Sequence, residues 1–554
     1  MAHGRCQGWH RHADWVFGHL QPLSRPRIVL TVLWWLTLVG LAVRVWRAST
    51  IAGSYDGEID SLLVLAQRGL HGTLLYQESY LRQWPIAQWL FAPSAWLGSI
   101  RAHRLLVLGL DLLAGLLMSL SVRNFSAAGL IPLKPRSLVP LASGVLLVVL
   151  AQKLPGGIAG SLHQFANVFL VLGVYLLSLA ADGQEPPGSR IHWRLLVAAS
   201  TFALLAVACF FTLIYPLTLV AALVLVHHRH PAVVARALIT GVALGCALLI
   251  VPYLFVAHGL ALLWAGAVAL PLEWASQQIW WGEDVASLFS ELARMPLAGL
   301  PIWSLILMPG AGLLLIARRA WGSETKHLER LLLVPGLAIV FLLELVWSFQ
   351  RTDFNSHDGL LIVVPLVLVT AAGMAELERT RRRSLRVAAF AGSLILSLIL
   401  FNNIAIAEVF GSPSRPAKLV TALEQDRAEL RRYFSGLPEA ERGFTAPQDP
   451  ALHWQLRVPA TTVGIGPKWS LNPQGIRASW ATRTIGLPVG QAQICAQLLQ
   501  PANRHLVWTR TDPEGPNTEA FLRQCLNQDK ARWQELTGEL GLRTGEFKLF
   551  RREA

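Results

Sequence analysis

Three carboxylic acids fall close together near the start of the chain, at Asp56, Glu58 and Asp60. A carboxylate here could act as a general base on an acceptor hydroxyl or amine, or could ligate a divalent cation. Acids are also favoured at helix N-termini, where they cap backbone N–H groups and interact with the helix dipole. The pattern therefore has a catalytic and a capping interpretation, and both stay open at this point.

The acids lie at the start of a short amphipathic helix. Its apolar residues recur at the i, i+3, i+4 and i+7 spacing that gives one apolar face: Ile59, Leu62, Leu63 and Ala66. Gly69 and Gly72 follow and are expected to end it. Such a helix is too short to span a bilayer, so we expect it beside the acids at the membrane surface.

A second short apolar run extends from Pro85 to Leu97 and is accompanied by Trp84, Trp89 and Trp96. Proline is favoured at the first position of a helix, and tryptophan is enriched at the headgroup level of a membrane. This run is therefore predicted to be an interfacial helix.

The composition of the chain indicates a membrane protein. Hydrophobic residues make up 53% and charged residues 15%, whereas soluble domains carry about a quarter charged residues. We predict a polytopic α-helical membrane protein with about eleven spans, each near the roughly 20 residues that a bilayer requires. The predicted spans are 28–46, 104–122, 137–152, 163–181, 195–210, 211–228, 236–257, 300–317, 330–348, 359–375 and 387–408.

Basic residues concentrate in every second short loop, as in the loop with Arg379, Arg381, Arg382, Arg383 and Arg386. Cytoplasmic loops carry such an excess, so the N-terminus and the tail 1–27 are predicted to lie inside. The transmembrane region, 28–410, would then have long outer loops at about 47–103 and 258–299. The same distribution explains the net charge of +14, and we predict no nucleic-acid partner.

Two acids, Asp111 and Glu344, fall inside predicted spans, where ionisable side chains are rare and often functional. Each could have a direct role or could pair with a neighbour such as Arg104. Both alternatives stay open.

Residues 411–554 contain no run long enough to cross a membrane and are predicted to form a small soluble α/β domain outside. The expected strands are Thr461–Gly466, His505–Thr509 and Glu546–Phe550, and the expected helices are 419–434, 489–499 and 517–540. Cys495 and Cys525 lie in this part of the chain. Because disulfides persist in an oxidising outer compartment, the two cysteines are predicted to be paired.

The segment from Asp56 to Tyr76, followed by Gln83-Trp-Pro-Ile-Ala-Gln-Trp89 and Arg104-Leu-Leu, resembles the first outer loop of GT-C glycosyltransferases. The likeness is to the branch of protein O-mannosyltransferases and the lipid A aminoarabinose transferase. That branch has an acidic motif after the first span, an amphipathic helix ending in glycine, and an arginine opening the second span. The stretch 355–365 resembles its later outer-loop His-Tyr element. The resemblance covers about the first 125 residues, and the remaining spans by topology only.

This resemblance implies a polyprenyl-phosphate-sugar donor and an inverting displacement on the outer face. Glu58 or Asp56 takes the place of the catalytic aspartate, depending on whether a gap precedes Ala66, and Asp60 stays a third candidate. The donor-phosphate lysine falls on Gln83, where the neighbouring Arg82 could supply the cation.

Arg104 is a further candidate for phosphate binding, while Tyr76, His357 and Asp358 are candidates to face the substrate. A second acid that the family often has in its next outer loop is missing from 153–167, where His163 and Gln164 stand. Dependence on a divalent cation is therefore open.

The sequence as a whole predicts a glycosyltransferase of the plasma (inner) membrane. Its partners would be membrane lipids, the polyprenyl-phosphate donor, and a lipid, glycan or protein acceptor. One alternative is a secondary transporter, which would place ionisable residues and broken helices near the bilayer midplane. The other is a catalytically silent protein that assists assembly of an envelope glycan.

Overall fold

The structure is a computed structural model, and it is helical over most of the residues it describes. These are 32, 35–36, 38–40, 42–43, 57–77, 84–134, 137–153, 160–181, 190–227, 230–276, 325–349, 360–379, 415–446, 451–456, 458, 478–487, 489–509, 518–529, 532–542 and 547–553. Of the sequence predictions, the spans 300–317 and 387–408 lie outside these residues, as do most of span 28–46 and the strand Thr461–Gly466.

Two short helices, α1 (Gly57–Leu70) and α2 (Ile86–Leu97), form the region predicted to be the first outer loop, and they pack against each other. The apolar face predicted for α1 is confirmed, because Ile59, Leu62, Leu63 and Ala66 are all buried. Helix α2 follows Pro85 and ends at Gly98, whose φ of 63° is favourable for glycine. Its Trp96 is 70% exposed, as suits a residue at the membrane interface.

The helices between α2 and the C-terminal part form the apolar bundle. They are α3 (Ile100–Ala127), α4 (Val139–Lys153), α5 (Leu162–Ala181), α6 (Arg190–Cys209), α7 (Ile214–His227), α8 (Pro231–Ile250), α9 (Gly259–Trp264), α10 (Leu270–Ser276), α11 (Thr325–Phe349) and α12 (Val363–Arg379). A π-helical turn, Ala265–Ala269, joins α9 to α10.

Within the described residues, five helices are long and apolar enough to cross a membrane: Ile100–Ala127, Leu162–Ala181, His192–Cys209, Pro231–Phe255 and Leu360–Glu378. Shorter apolar helices are Val139–Gln152, Phe211–Val226, Gly259–Glu273 and Leu333–Leu345. Apart from Gly259–Glu273, which lies in the predicted outer segment 258–299, each coincides with a predicted span. The chain is therefore a multi-pass membrane protein.

Helices α3 and α4 approach each other closely where two glycines meet. A Cβ on Gly115 would come within 2.8 Å of the carbonyl oxygen of Gly144. Small residues allow such close packing between membrane helices, which is driven by van der Waals contact rather than by the hydrophobic effect. On another face of α3, the Asn124 amide donates to the Ser178 hydroxyl of α5. These contacts hold α3, α4 and α5 together.

The C-terminal part begins with α13 (Arg415–Gly436) and contains a four-stranded sheet of order β1-β2-β4-β3. The strands are β1 (Phe444–Thr445), β2 (His505–Thr509), β3 (Trp533–Glu535) and β4 (Phe547–Arg552), and the further helices are α14 (Ala451–Leu456), α15 (Trp480–Ile485), α16 (Gly490–Leu498) and α17 (Thr518–Gln528). Strand β1 runs parallel to β2, and the other two pairs are antiparallel.

The strands predicted at 505–509 and 546–550 are confirmed. The predicted helix 517–540 is wrong beyond Gln528, because Trp533–Glu535 pairs its backbone with β4 instead. The predicted disulfide is confirmed: Cys495 on α16 and Cys525 on α17 are bonded, with their Cα atoms 5.3 Å apart. This bond ties two helices of the same core together.

Candidate functional site

The three acids fall at the N-terminal end of α1. Asp56 lies outside the described residues, and Glu58 is the second residue of the helix. Asp60 is only 2% exposed, and its Oδ1 accepts a hydrogen bond of 3.3 Å from the indole Nε1 of Trp454. Trp454 belongs to α14, which packs against α1. The C-terminal part of the chain therefore covers one of the candidate acids directly.

His453 holds Trp454 in this place. Its ring stacks on Phe444, with the centroids 4.4 Å apart, and its Nε2 accepts from the backbone N–H of Ala446 at 3.1 Å. An Nε2 that accepts leaves the proton on Nδ1, which lies 3.3 Å from the carbonyl oxygen of Val458. Burial lowers the pKa of His453 to about 3, so the ring is neutral and part of the fold.

The segment after α1 is held by Gln88 of α2. Its Nε2 donates to the carbonyl oxygens of Leu65 and Thr73, at 2.9 and 2.8 Å. Its Oε1 accepts from the backbone N–H of Leu75 at 3.0 Å. The side chain is 2% exposed, so one buried amide joins the helix, the turn that follows it and α2.

Tyr76 ends this segment and is fully buried. Its φ of 71° lies in the left-handed region, which is uncommon for a residue with a side chain. Neighbouring contacts hold it there: the Tyr253 hydroxyl donates to the carbonyl oxygen of Leu75 at 2.8 Å, and a Cβ on Gly266 would collide with the Tyr76 ring. Tyr76 therefore supports the loop from within, and contact with a substrate would require this packing to open.

Arg104 lies in the second turn of α3 and is 5% exposed. Its neighbour His103 anchors that turn. The Nδ1 of His103 lies 2.8 Å from the Ser94 hydroxyl, its Nε2 lies 2.9 Å from the carbonyl oxygen of Gly160, and its ring stacks on Phe91. The start of α3 is thus joined to α2 and to the segment before α5, which fixes the backbone that carries Arg104.

The remaining predicted site residues, Arg82, Gln83, His357 and Asp358, lie outside the described residues. The structure brings the acid-bearing end of α1 under Trp454 and joins α1 through α2 to the helix of Arg104. The sequence reasoning missed Trp454, His103 and Gln88. Gln88 carried a signal, because a polar amide inside an apolar helix needs partners.

A carboxylate at the start of α1 and a guanidinium at the start of α3 could serve acid–base and anion-binding chemistry. Among the described residues, no group of three His, Cys, Asp or Glu side chains could hold a metal ion.

No protein-family model matches the sequence, and no curated protein matches it. Among solved structures, ArnT from Cupriavidus metallidurans bound to undecaprenyl phosphate is similar, with a TM-score of 0.55 and 12% identity over 95% of this chain and 97% of that chain. The apo state of the same ArnT gives a TM-score of 0.51 and 14% identity over 93% of this chain and 97% of that chain. The Archaeoglobus fulgidus oligosaccharyltransferase, in complex with zinc and sulfate, gives a TM-score of 0.48 and 11% identity. That match covers 87% of this chain and 68% of that chain.

The ArnT similarity extends over nearly the full length of both chains, so it includes the C-terminal part as well as the helical bundle. The likeness seen in the sequence was confined to the first outer loop, the stretch 355–365 and the topology of the spans. This chain has an ArnT-like fold, as that likeness predicted.

Proposed function

We propose that the protein is a membrane glycosyltransferase that moves a sugar from a polyprenyl-phosphate donor to a lipid, glycan or protein acceptor. The observation that carries the proposal is the fold. It is shared over 95% of this chain with an ArnT solved with undecaprenyl phosphate, which is a polyprenyl phosphate. The resemblance of the first outer loop supports the same assignment independently of the overall fold.

The chemistry assigned to the site is an inverting displacement. The acceptor oxygen or nitrogen forms a bond to the anomeric carbon while the bond from that carbon to the phosphate oxygen breaks. Asp56 or Glu58 takes the acceptor's proton as general base, and the polyprenyl phosphate leaves with the bonding electron pair. Arg82 and Arg104 are assigned to the phosphate, because their charge stabilises the anion that forms.

The reaction is placed on the outer face of the plasma (inner) membrane, with the C-terminal part on the same side. The alternation of basic loops supports this orientation. The contact of Trp454 with Asp60 is consistent with it, because the C-terminal part and the first outer loop must then share one side.

The experiment that tests the proposal is a comparison of lipid-linked sugars in cells with and without the protein. Polyprenyl-phosphate-linked sugars are extracted and identified by mass spectrometry. If the protein is a transferase, we expect one such sugar to accumulate when the protein is absent. Its level should return to normal when the wild-type chain is supplied. An unchanged set of lipid-linked sugars would count against the transferase and in favour of a transporter or an assembly protein.

A matched control separates loss of chemistry from loss of protein. Glu429 is a partly exposed acid of α13 that pairs with Arg432, so Glu429→Gln removes one charge that the proposed chemistry does not use. This variant should restore the normal level of the lipid-linked sugar. Membrane levels of each variant are measured alongside by immunoblotting.

A further inference from the structure

The short apolar helix Gly259–Glu273 has a row of large apolar side chains that the rest of the described chain leaves exposed. The helix is made of α9, the π-helical turn and the first residues of α10. Leu260, Trp264 and Leu272 are 53%, 57% and 63% exposed, and Val268 between them is partly buried. These four residues, each four positions after the one before, are called the apolar stripe below.

The π-helical turn Ala265–Ala269 keeps the apolar stripe in line. In a regular α-helix, each step of four residues goes about 40° beyond a full turn, so three steps would spread the stripe over about 120°. A π turn has hydrogen bonds from i to i+5 and therefore holds more residues per turn, which reduces this drift. The four side chains consequently stay on one side of the helix along its whole length.

The opposite side of the helix packs against the protein. Leu262, Ala265 and Leu270 are buried, and a Cβ on Gly266 would collide with the ring of Tyr76 in the predicted first outer loop. The C-terminal part contacts the same region, because α15 packs against α9 and the π-helical turn. The helix is therefore fixed between two parts of the protein, with the apolar stripe facing outward.

The helix follows directly on a membrane-spanning helix but is too short to cross the membrane itself. At about 1.5 Å per residue it is about 22 Å long, whereas the hydrocarbon core is about 30 Å thick. A turn at 257–258 separates it from the span Pro231–Phe255, whose last residues, Leu254 and Phe255, are also exposed. The apolar surface that this span offers to lipid thus continues along the chain into the apolar stripe.

Lipid is the partner that best fits this surface. From Leu260 to Leu272 the helix has no charged side chain, and large exposed apolar patches are typical of membrane or protein contact. Trp264 is of the residue type that is enriched at the level of the headgroups. An isolated interfacial helix turns a polar face away from the lipid, and here the rest of the protein takes the place of that face. Continuity with the span favours lipid over a protein partner.

We propose that the helix Gly259–Glu273 lies in the plane of the membrane interface, with the apolar stripe inserted among the acyl chains of one leaflet. This leaflet is the one on the side of the predicted first outer loop. Because the opposite side of the helix packs on Tyr76, the insertion fixes the height of that loop relative to the lipid headgroups. The inference does not rest on the proposed function.

The first test measures the surroundings of single nitroxide labels on the full chain, in vesicles of phosphatidylethanolamine and phosphatidylglycerol. Leu260→Cys and Leu272→Cys carry the label on the apolar stripe. Val242→Cys, at an exposed position of the span, is the lipid control, and Arg432→Cys, on α13, is the control in water. Cys6, Cys209 and Cys246 are first replaced by alanine, and the disulfide between Cys495 and Cys525 is kept.

Electron paramagnetic resonance then compares collisions of each label with oxygen, which concentrates in lipid, and with a polar nickel chelate, which stays in water. We expect the oxygen-to-nickel ratio at 260 and 272 to match that at 242 and to exceed that at 432 by on the order of tenfold, because hydrocarbon excludes the polar chelate. A ratio equal to that at 432 would place the apolar stripe in water and overturn the proposal. Few collisions with both reagents would show that protein covers the stripe, and would overturn it as well.

A second measurement needs no substitution. The wild-type chain is placed in the same vesicles with a phospholipid that carries a photoactivatable diazirine in its acyl chain, and labelled peptides are identified by mass spectrometry. We expect label within 259–273 and within the span Pro231–Phe255, and none in β4 of the C-terminal sheet. Label in the span without label in 259–273 would contradict the insertion.

Discussion

The indole of Trp454 donates a 3.3 Å hydrogen bond to the carboxylate of Asp60, a residue 394 positions earlier in the chain. Both side chains are 2% exposed. The contact joins the C-terminal part to the helix that bears the candidate catalytic acids. A hydrogen bond to a charged group contributes about 1.5–3 kcal/mol, so this contact is strong enough to position the two parts.

Trp454→Phe keeps the aromatic packing and removes the N–H donor. We expect it to lower the free energy of unfolding by about 1–3 kcal/mol, because a buried carboxylate loses a donor. Limited proteolysis would detect earlier release of the C-terminal part. Trp480→Phe is the control: Trp480 is 49% exposed on α15, and its replacement should change proteolysis little. Equal sensitivity of the two variants would contradict the role of this hydrogen bond.

Asp56→Asn, Glu58→Gln and Asp60→Asn separate a catalytic base from a helix cap. Loss of a general base lowers the rate by about 10²–10⁴, whereas loss of a cap costs about 1 kcal/mol of stability. We expect one of the first two variants to abolish sugar transfer while membrane insertion stays normal. Asp60→Asn should affect stability more than rate, since Asp60 is covered by Trp454. If all three variants transferred sugar at the wild-type rate, the acids would act only as helix caps.

Arg82→Ala should weaken use of the donor more than it lowers the maximal rate. A contact with the donor phosphate binds the substrate throughout the reaction, so its loss raises KM with a smaller change in kcat. The measurement is transfer at varied concentrations of the lipid-linked donor in membranes. A fall in kcat with unchanged KM would instead assign Arg82 to the transition state alone.

Gly160→Ala should disturb the turn that anchors Arg104. Gly160 has a φ of 82°, and a Cβ there would come within 2.6 Å of the Nε2 of His103. Gly129→Ala is a matched control, because Gly129 has a φ of 73° but no atom within 4 Å of its Cβ position. Both variants carry about 1 kcal/mol of backbone strain, and only Gly160→Ala adds a collision. Thermal unfolding should therefore show the larger loss for Gly160→Ala.

The C-terminal part should lose stability in acid. Burial lowers the pKa of His453 to about 3 and that of His505 to about 4, while an unfolded histidine titrates near 6.5. Between the folded and unfolded pKa values, the unfolded chain therefore binds more protons than the folded chain. The stability present above pH 6.5 is lost as the pH falls toward 4 and then 3. Hydrogen exchange of the backbone amides of β2, measured from pH 7 to pH 4, reports this loss of stability. His453→Gln should make the stability of the C-terminal part depend less on pH.

Several elements of the fold follow from local patterns. The apolar spacing of Ile59, Leu62, Leu63 and Ala66 predicted the buried face of α1, and β2 occupies the predicted residues His505–Thr509. The disulfide between Cys495 and Cys525 followed from the compartment expected for this part. These features depend on short stretches of chain and on the solvent around them, which a sequence records directly.

Other features were decided only by the tertiary structure. Residues 533–535 carry a helical pattern but form β3, because β4 offers backbone partners that local periodicity cannot reveal. The Trp454 contact with Asp60 and the meeting of Gln152 and Gln164 at Asp111 likewise join distant segments. The sequence by itself predicted the membrane class and the spans that the described helices match, and it singled out the candidate acids, since hydropathy and charge are local. Which acid is covered and which amides surround a buried carboxylate depended on how the helices pack.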